Sequence, residues 1–565
     1  MASAALLAGA VAPVVASVVS PTPALAANLV VTSTADSGAG SLRLAVANAN
    51  VLGGDVITFA WGISPVVLTS GPIVIDKDLT IRGNGSANTT ITRNAQFPSF
   101  GIIEIADDVT ATIDMVTISG GSAAAGAGIM NDGTLTLARS TVSGNVGIPG
   151  AGGGGTAGVG VYNNFNDTVT ITNSQITGNT ATNPVESVFG GGVSNQGGGR
   201  MTIANSLIAN NSISGLGVFG GGIQDEGFTL TINDTLISGN TATSTDPGFD
   251  ALGGGIDHRV GTLTLTNSIV RGNTATGPLA PTTGVAHGGG LHLAAATTIE
   301  RAEISGNTAT GGVEQEGGGV YLAGGITASI TNSTIANNTA ASDGGGLYSG
   351  SAPAVTLVNA TVAGNLSSGA AIDSDASNVS LRNTIVNNPA SGSNCSGTIA
   401  DFGNNLVFGG TVGTCPGTNA DPKLQALGDN GGVSQTMALG AGSAAIDGGA
   451  NCPTVDQRNY MRVGTCDIGA YDAAGALPDA APPVCKMTGI LAENTKKQNV
   501  TATDAGRGLQ SITPVTNTNA YIVIPYFLPR TNLTVTMTAV KINQSATSVW
   551  RFNATDQAGN VLLCQ

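Results

Sequence analysis

An all-β protein, most of it a right-handed parallel β-helix followed by a small antiparallel β-sandwich, is what three features of the sequence predict. The first is a repeat. Residues 253–276, GGGIDHRVGTLTLTNSIVRGNTAT, recur in close variants at 190–212, 220–243 and 317–340. The Asn that closes each unit falls at Asn145, Asn179, Asn211, Asn240, Asn273, Asn307, Asn338, Asn365 and Asn388, in steps of 34, 32, 29, 33, 34, 31, 27 and 23 residues. A period of that size is a solenoid's, one unit per coil. The second feature is local chemistry: short alternating Ile/Val/Leu/Thr runs between Gly and Asn are strand and turn, and no stretch within a unit carries helical apolar spacing. The third is composition. Gly is 84 of 565 residues, about twice the usual ~7%, and its periodic placement beside aliphatic strands points to turns instead of disorder. Each unit reads as three short strands around a triangular section. A lone coil buries about three to five aliphatics at roughly 1.5–3 kcal/mol each but orders about thirty residues at roughly 1–2 kcal/mol each, so coils must stack.

Residues 1–26 are Ala/Val-rich and end in Pro21, Pro23 and Ala24-Leu25-Ala26, which fits a signal peptide with the mature chain starting near Ala27. No later segment is apolar enough to span a bilayer. Residues 27–64 read as an N-terminal cap: Ser41 can cap a short helix with Leu42, Ala45, Val46 and Ala49 on one face, closing an otherwise open sheet edge. The run TADSGAGSLRLAVANAN resembles the CSLREA-type segment at the head of many exported bacterial β-helix proteins, with Gly40 in place of that pattern's Cys. Coils are expected over 65–388.

Aligning the strand after each Gly cluster puts Ile129, Val161, Val193, Ile223, Ile256, Leu291, Val320, Leu347 and Ile372 in one inward column. Two residues on, Asn131, Asn163, Asn195, Asp225 and His258 share that parity and predict an inward side-chain ladder. The columns between them face outward. They hold Asp257, His292, Tyr321, Tyr348 and Asp373, and further along Glu226 and Arg259. This is the face where chemistry could gather. Catalysis there would fall to Asp257, Glu226, Arg259 and His292, ligand contact to Tyr321 and Tyr348, and a metal ion to Asp373 and Asp375. Glycoside hydrolysis needs paired carboxylates, one to donate a proton and one to activate water or attack. The architecture resembles that of extracellular β-helix enzymes acting on acidic polysaccharides, whose lyases use a basic residue with calcium, so Ca2+ is the one cofactor this reading brings. The Asn-Thr-Asp, Asp-Asp, Gly-His-Gly and Arg-Ile-Lys signatures of polygalacturonases are absent, and the three histidines lack zinc-type spacing. The competing expectation is a solvated outer face on which changing Asp257 or Glu226 costs within about 0.5 kcal/mol.

Residues 389–472 resemble the choice-of-anchor Q domain through Asp421-Pro422, Leu427, Asp429-Asn430-Gly431-Gly432, Gly440–Asp447, Asp456-Gln457-Arg458 and Cys466-Asp467-Ile468-Gly469-Ala470-Tyr471. The resemblance implies an exported bacterial protein and no catalysis. Asp456, Arg458 and Asp467 read as an internal ion-pair network. Residues 473–483 form a Pro/Ala linker, and 484–565 carry at least five alternating strands that suggest an immunoglobulin-like sandwich. The linker coincides with a charge break: from 475 onward seven Lys/Arg against four Asp/Glu give +3, leaving −18 of the total −15 for the rest. That balance argues against a nucleic-acid partner. Six cysteines without a Cys-x-x-Cys pair suit an oxidising compartment, and locality favours Cys395–Cys415, Cys452–Cys466 and Cys485–Cys564 among the 15 pairings. The expected function is a secreted or cell-surface display and adhesion scaffold whose partners are polysaccharide or cell-surface components. The alternative is a polysaccharide lyase or glycoside hydrolase working along the outer strands.

Overall fold

The computed structural model describes residues 28–565 except 53, 151–153, 280–282, 352–353, 391, 412, 476–480, 492–493, 505, 507, 531–533 and 544. The expected signal peptide, 1–26, lies outside the described residues. Coils begin at Asn28–Val31, which pairs in parallel with Asp55–Phe59. Between them the helix Leu42–Leu52 forms the lid. Ser41 starts it as expected, its Oγ accepting from Leu44 N–H at 3.2 Å, and Leu42, Ala45, Val46 and Ala49 are buried in the solenoid core. Asp36 ties lid to coil, bridging Arg43 (2.7 Å) and the Ser70 hydroxyl (2.6 Å).

A central coil has more strands than the triangular section anticipated. Ile256–His258 and Thr262–Thr266 both join one long parallel sheet, Ile269–Arg271 a second, Thr274–Thr276 a third and Ala286–His287 a narrow fourth. Residues with positive φ make the corners: Gly253 (66°), Asn267 (50°) and Gly272 (64°). Left-handed backbone suits Gly and Asn, which is why these two residues punctuate the repeat. The apolar register is the one read from sequence. Ile129, Val161, Val193, Ile223, Ile256, Leu291, Val320, Leu347 and Ile372 pair in succession and are wholly buried.

Two polar ladders run inside this core. The unit-closing asparagines stack from Asn145 to Asn388, each Nδ2 donating to the next Oδ1 at 2.9–3.3 Å. The second ladder runs Asn131–Asn163–Asn195–Asp225–His258 with successive contacts of 2.6, 2.7, 2.5 and 2.6 Å. Both satisfy buried amides that a wholly aliphatic interior would strand.

The C-terminal third does not simply extend the rod. Ser393–Asp401 and Leu406–Phe408 add one more coil, onto which Thr418–Asn419 pairs last, and the chain then folds back along the corner between the first two sheets. Asn383 Nδ2 reaches Ala450 O (2.8 Å), Asn359 Nδ2 reaches Gly469 O (3.3 Å), and Arg462 reaches Asn332 Oδ1 (3.1 Å). The charged network expected there is present in part. Arg458 pairs with buried Asp456 at 2.6 Å, whereas Asp467 accepts the backbone N–H groups of Asp447 (2.8 Å) and Ala473 (2.6 Å). The sandwich that follows has a four-stranded and a three-stranded antiparallel sheet around Val500, Leu509, Val535, Met537 and Phe552. It continues along the same corner toward the N-terminal lid. Leu528 N–H donates to Asn205 Oδ1 (2.9 Å), Asn173 Nδ2 to Tyr526 O (3.3 Å), Arg139 to Thr538 Oγ1 (3.0 Å) and Lys497 Nζ to Gly83 O (2.6 Å), and the rings of Tyr521 and Trp61 lie 4.5 Å apart. The three disulfides are Cys395–Cys415, Cys452–Cys466 and Cys485–Cys564.

Candidate functional site

The fourth sheet creates a concave corner that carries titratable groups. Its strands, Thr156–Ala157, Val188–Phe189, Val218–Phe219, Ala251–Leu252, Ala286–His287 and Gln315–Glu316, stack in parallel. One falls in each of the six asparagine intervals of 29–34 residues, and none in the intervals of 27 and 23. The extra length of the longer repeats is therefore a wall. The Gly-Gly-Gly that follows five of the six wall strands, and Gly158-Val159-Gly160 after the first, turns the chain onto the leading strand of the next coil. A Cβ on Gly253 would stand 2.2 Å from Ile256 O, so no side chain fits there.

Facing this wall is the outward column Tyr162, Ser194, Gln224, Asp257, His292, Tyr321, Tyr348, Asp373 and Ser396, in unbroken register. The wall covers its centre. Asp257 and Gln224 are wholly buried and His292 nearly so, against the expectation of a solvated face. All four candidate catalytic residues converge. Asp257 Oδ1 meets His292 Nδ1 at 2.6 Å and Asp257 Oδ2 meets Arg259 Nε at 2.7 Å. Arg259 reaches Glu226 at 3.5 Å and lies 4.0 Å over the Phe219 ring. Asp257 is thus held between an imidazole and a guanidinium and shut off from solvent, while Glu226 is half-buried.

Tyr321 and Tyr348 extend the same row. Their ring centroids are 5.2 Å apart, and Tyr321 is also stacked on His287 (4.1 Å) and His292 (5.2 Å). With both faces covered, Tyr321 offers edge and hydroxyl only. Sequence reasoning passed over His287 and Glu316, which are wall residues. Burial, then the neighbouring His292, lowers the His287 pKa to about 3. Burial, then Glu314 and Asp343, pushes Glu316 up to about 7, although the Tyr348 hydroxyl bonds to it. Asp373 is buried and raised in pKa by that burial, Ser396 bonding its carboxylate. Asp375 is exposed. Among the described residues the one trio with ligand atoms placed for an ion is His287, Glu314 and Glu316, not the Asp373/Asp375 pair.

At the other end of the corner a cavity of about 550 Å³ is lined by Tyr162, Phe189, Gln196, Glu226 and Arg259 over a floor of Ala and Gly.

Residues 78–298 match the family model described as right handed beta helix region. The core is a right-handed β-helix. No curated protein matches the chain. Among solved structures it is similar to a chain described as Geobacillus virus E2 ORF18, at 10% identity over 95% of this chain and 86% of that one, with a TM-score of 0.23. So low a score carries no argument about function.

Proposed function

We propose that this protein is an exported β-helix scaffold that binds glycan in the corner between wall and leading strands. The observation that carries this reading is the cavity of about 550 Å³ at the Arg259–Glu226 end. It pairs aromatic walls, Tyr162 and Phe189, with a guanidinium, a carboxylate and the Gln196 amide, a mix of apolar surface and a few fixed polar groups that suits a polyhydroxylated ligand. Buried Asp257 serves as the post on which Arg259 is held, so the site is rigid before ligand arrives, which lowers the ordering cost of binding. Three disulfides with no free cysteine among the described residues suit an oxidising, extracellular setting, and no helix among them is long and apolar enough to cross a membrane. The likeness to choice-of-anchor Q and immunoglobulin-like modules supports attachment to a surface.

Affinity electrophoresis against neutral and acidic polysaccharides tests this. Tyr162→Ala and Glu226→Gln, both at half-exposed positions, should each weaken retention about tenfold or more, with no release of sugar ends. Unchanged retention in both variants would sink the proposal. A second reading, glycoside hydrolysis, has one observation in its favour. Glu316, its pKa raised to about 7 by burial and by the carboxylates around it, Asp343 and Asp373 among them, is the arrangement of an acid next to a base. Release of reducing ends abolished by Glu316→Gln would establish it.

A further inference from the structure

The wall carries a second constellation, on its strands Ala286–His287 and Gln315–Glu316, whose reading does not depend on the glycan proposal. His287 and Glu316 occupy facing positions on adjacent strands of the fourth sheet, and Glu314 enters the same strand two residues earlier. His287 is 9% exposed, and its Nε2 is buried without a hydrogen bond. That nitrogen lies 3.3 Å from Glu316 Oε2, and one ligand atom from each of the three residues falls within 4.8 Å of the others. Facing two carboxylates, this buried nitrogen makes its 3.3 Å contact with Glu316 Oε2 without hydrogen-bond geometry, and leaving it so costs free energy.

We propose that His287 Nε2, Glu316 and Glu314 form a binding site for a divalent cation of the zinc class. The geometry fits that ion. Bonds of about 2.0–2.2 Å in a tetrahedral shell place neighbouring ligand atoms about 3.3 Å apart, the separation already present between His287 and Glu316. Glu314 is exposed and can close the remaining distance by side-chain rotation alone. One imidazole with two carboxylates suits Zn2+, and then Mn2+, better than Ca2+, which takes six to eight oxygens. The supports that orient metal ligands are also in place. Tyr321 stacks on the His287 ring at 4.1 Å and 9°, fixing its plane, and the Tyr348 hydroxyl bonds to Glu316. Crowding of Glu314, Glu316 and Asp343 supplies negative charge that a cation would neutralise. Three protein ligands leave a coordination position for water or a ligand oxygen.

Calorimetric titration of the chelator-stripped full chain tests the proposal, with Co2+ absorption as a spectroscopic check on the coordination shell. One equivalent of Zn2+ should bind, Mn2+ more weakly, and Ca2+ more weakly still. Glu314→Gln and His287→Gln should each lower Zn2+ affinity about tenfold or more, while Asp375→Asn should not. Because Glu314 is exposed, its variant keeps the fold whatever His287→Gln does. Absence of Zn2+ binding below ~1 mM, or binding that is unchanged in Glu314→Gln, would overturn the assignment, as would Ca2+ binding as tightly as Zn2+.

Discussion

Replacing Asn240 with Ala tests what holds the coils in register. The side chain is wholly buried mid-ladder. Its Oδ1 accepts from Asn211 N and Asn211 Nδ2, both at 3.0 Å, and its Nδ2 donates to Ile208 O and Asn273 Oδ1, both at 2.9 Å. Alanine removes all four bonds. Asn211 Nδ2 retains Ile176 O at 3.0 Å, but the Asn211 backbone N–H loses its acceptor in a site water does not reach. At about 1 kcal/mol net per bond, with the orphaned donor toward the upper end of the range, the expected loss is about 3–5 kcal/mol. Asn240→Asp separates hydrogen bonding from volume: it keeps the size and the two accepted bonds but turns both donations into oxygen–oxygen contacts. It should be about as damaging as alanine. Because stacked coils need not unfold as one unit, the assay is hydrogen exchange by residue alongside urea unfolding, with protection expected to fall most in the coils from Asn211 to Asn273. If Asn240→Asp behaves like the unsubstituted protein, or if Asn240→Ala costs under about 1 kcal/mol, the ladder is packing and the hydrogen-bond account fails.

Two further outcomes follow from buried charge. Asp257→Ala should cost about 3–5 kcal/mol in urea unfolding, since it strands Arg259 and His292 beside an empty site, whereas Glu226→Ala, half-exposed, should stay within about 0.5 kcal/mol. Lys497 is 1% exposed and its pKa is lowered from 10.5 to about 8, by burial first and then by Arg82. Undocked or unfolded chain therefore binds more protons than folded chain between pH ~8 and ~10.5, so stability should rise with pH across that window and be flat below it. The difference of 10.5 − 8 corresponds to on the order of 3 kcal/mol. Denaturation midpoints at pH 7.5 and 10 should differ in the unsubstituted protein and coincide in Lys497→Met.

The coil was legible because its signals are local and repeated. Alternation sets which residue points inward, and Gly and Asn at the corners mark where each strand stops, so the column from Ile129 to Ile372 could be aligned to the residue. The cysteine pairs were legible for a similar reason, each falling within one composition block. What alignment could not give was the environment of an outward residue. Asp257 points away from the aliphatic interior, as parity requires, yet is wholly buried, because burial there depends on a wall contributed by the loop before each Gly cluster. That wall left a trace in the spacing: every interval of 29 residues or more contains a wall strand, and the shorter ones contain none. The folding back of the C-terminal third had only the positive-φ asparagines as a trace. Asn173, Asn205, Asn332, Asn359 and Asn383 look like turn residues and nothing more until their side chains are seen bonding to the docked chain.

Around the section, the flanks of the solenoid divide into covered, plain and equipped. The corner between the first two sheets is occupied by the protein's own C-terminal third, from Asn383 back to Gly83. The next face carries Thr136, Thr170, Thr202, Thr231, Thr264 and Thr298 in register. A row of threonines is what a half-exposed parallel strand favours for its own sake, and it brings no titratable group. Chemistry begins where the wall begins. Upstream of it the outward column reads Val74, Glu104, Met130; from Tyr162 onward it acquires the buried pair Asp257 and His292, with half-buried Arg259 beside them, and the tyrosines. A display rod needs only stiffness, which short coils provide without a fourth sheet. Six coils nevertheless carry extra chain, which covers Asp257 and His292 and shapes a cavity beside Arg259. That coincidence of added structure with a covered carboxylate and a cavity is the reason the proposed glycan site is placed in this corner.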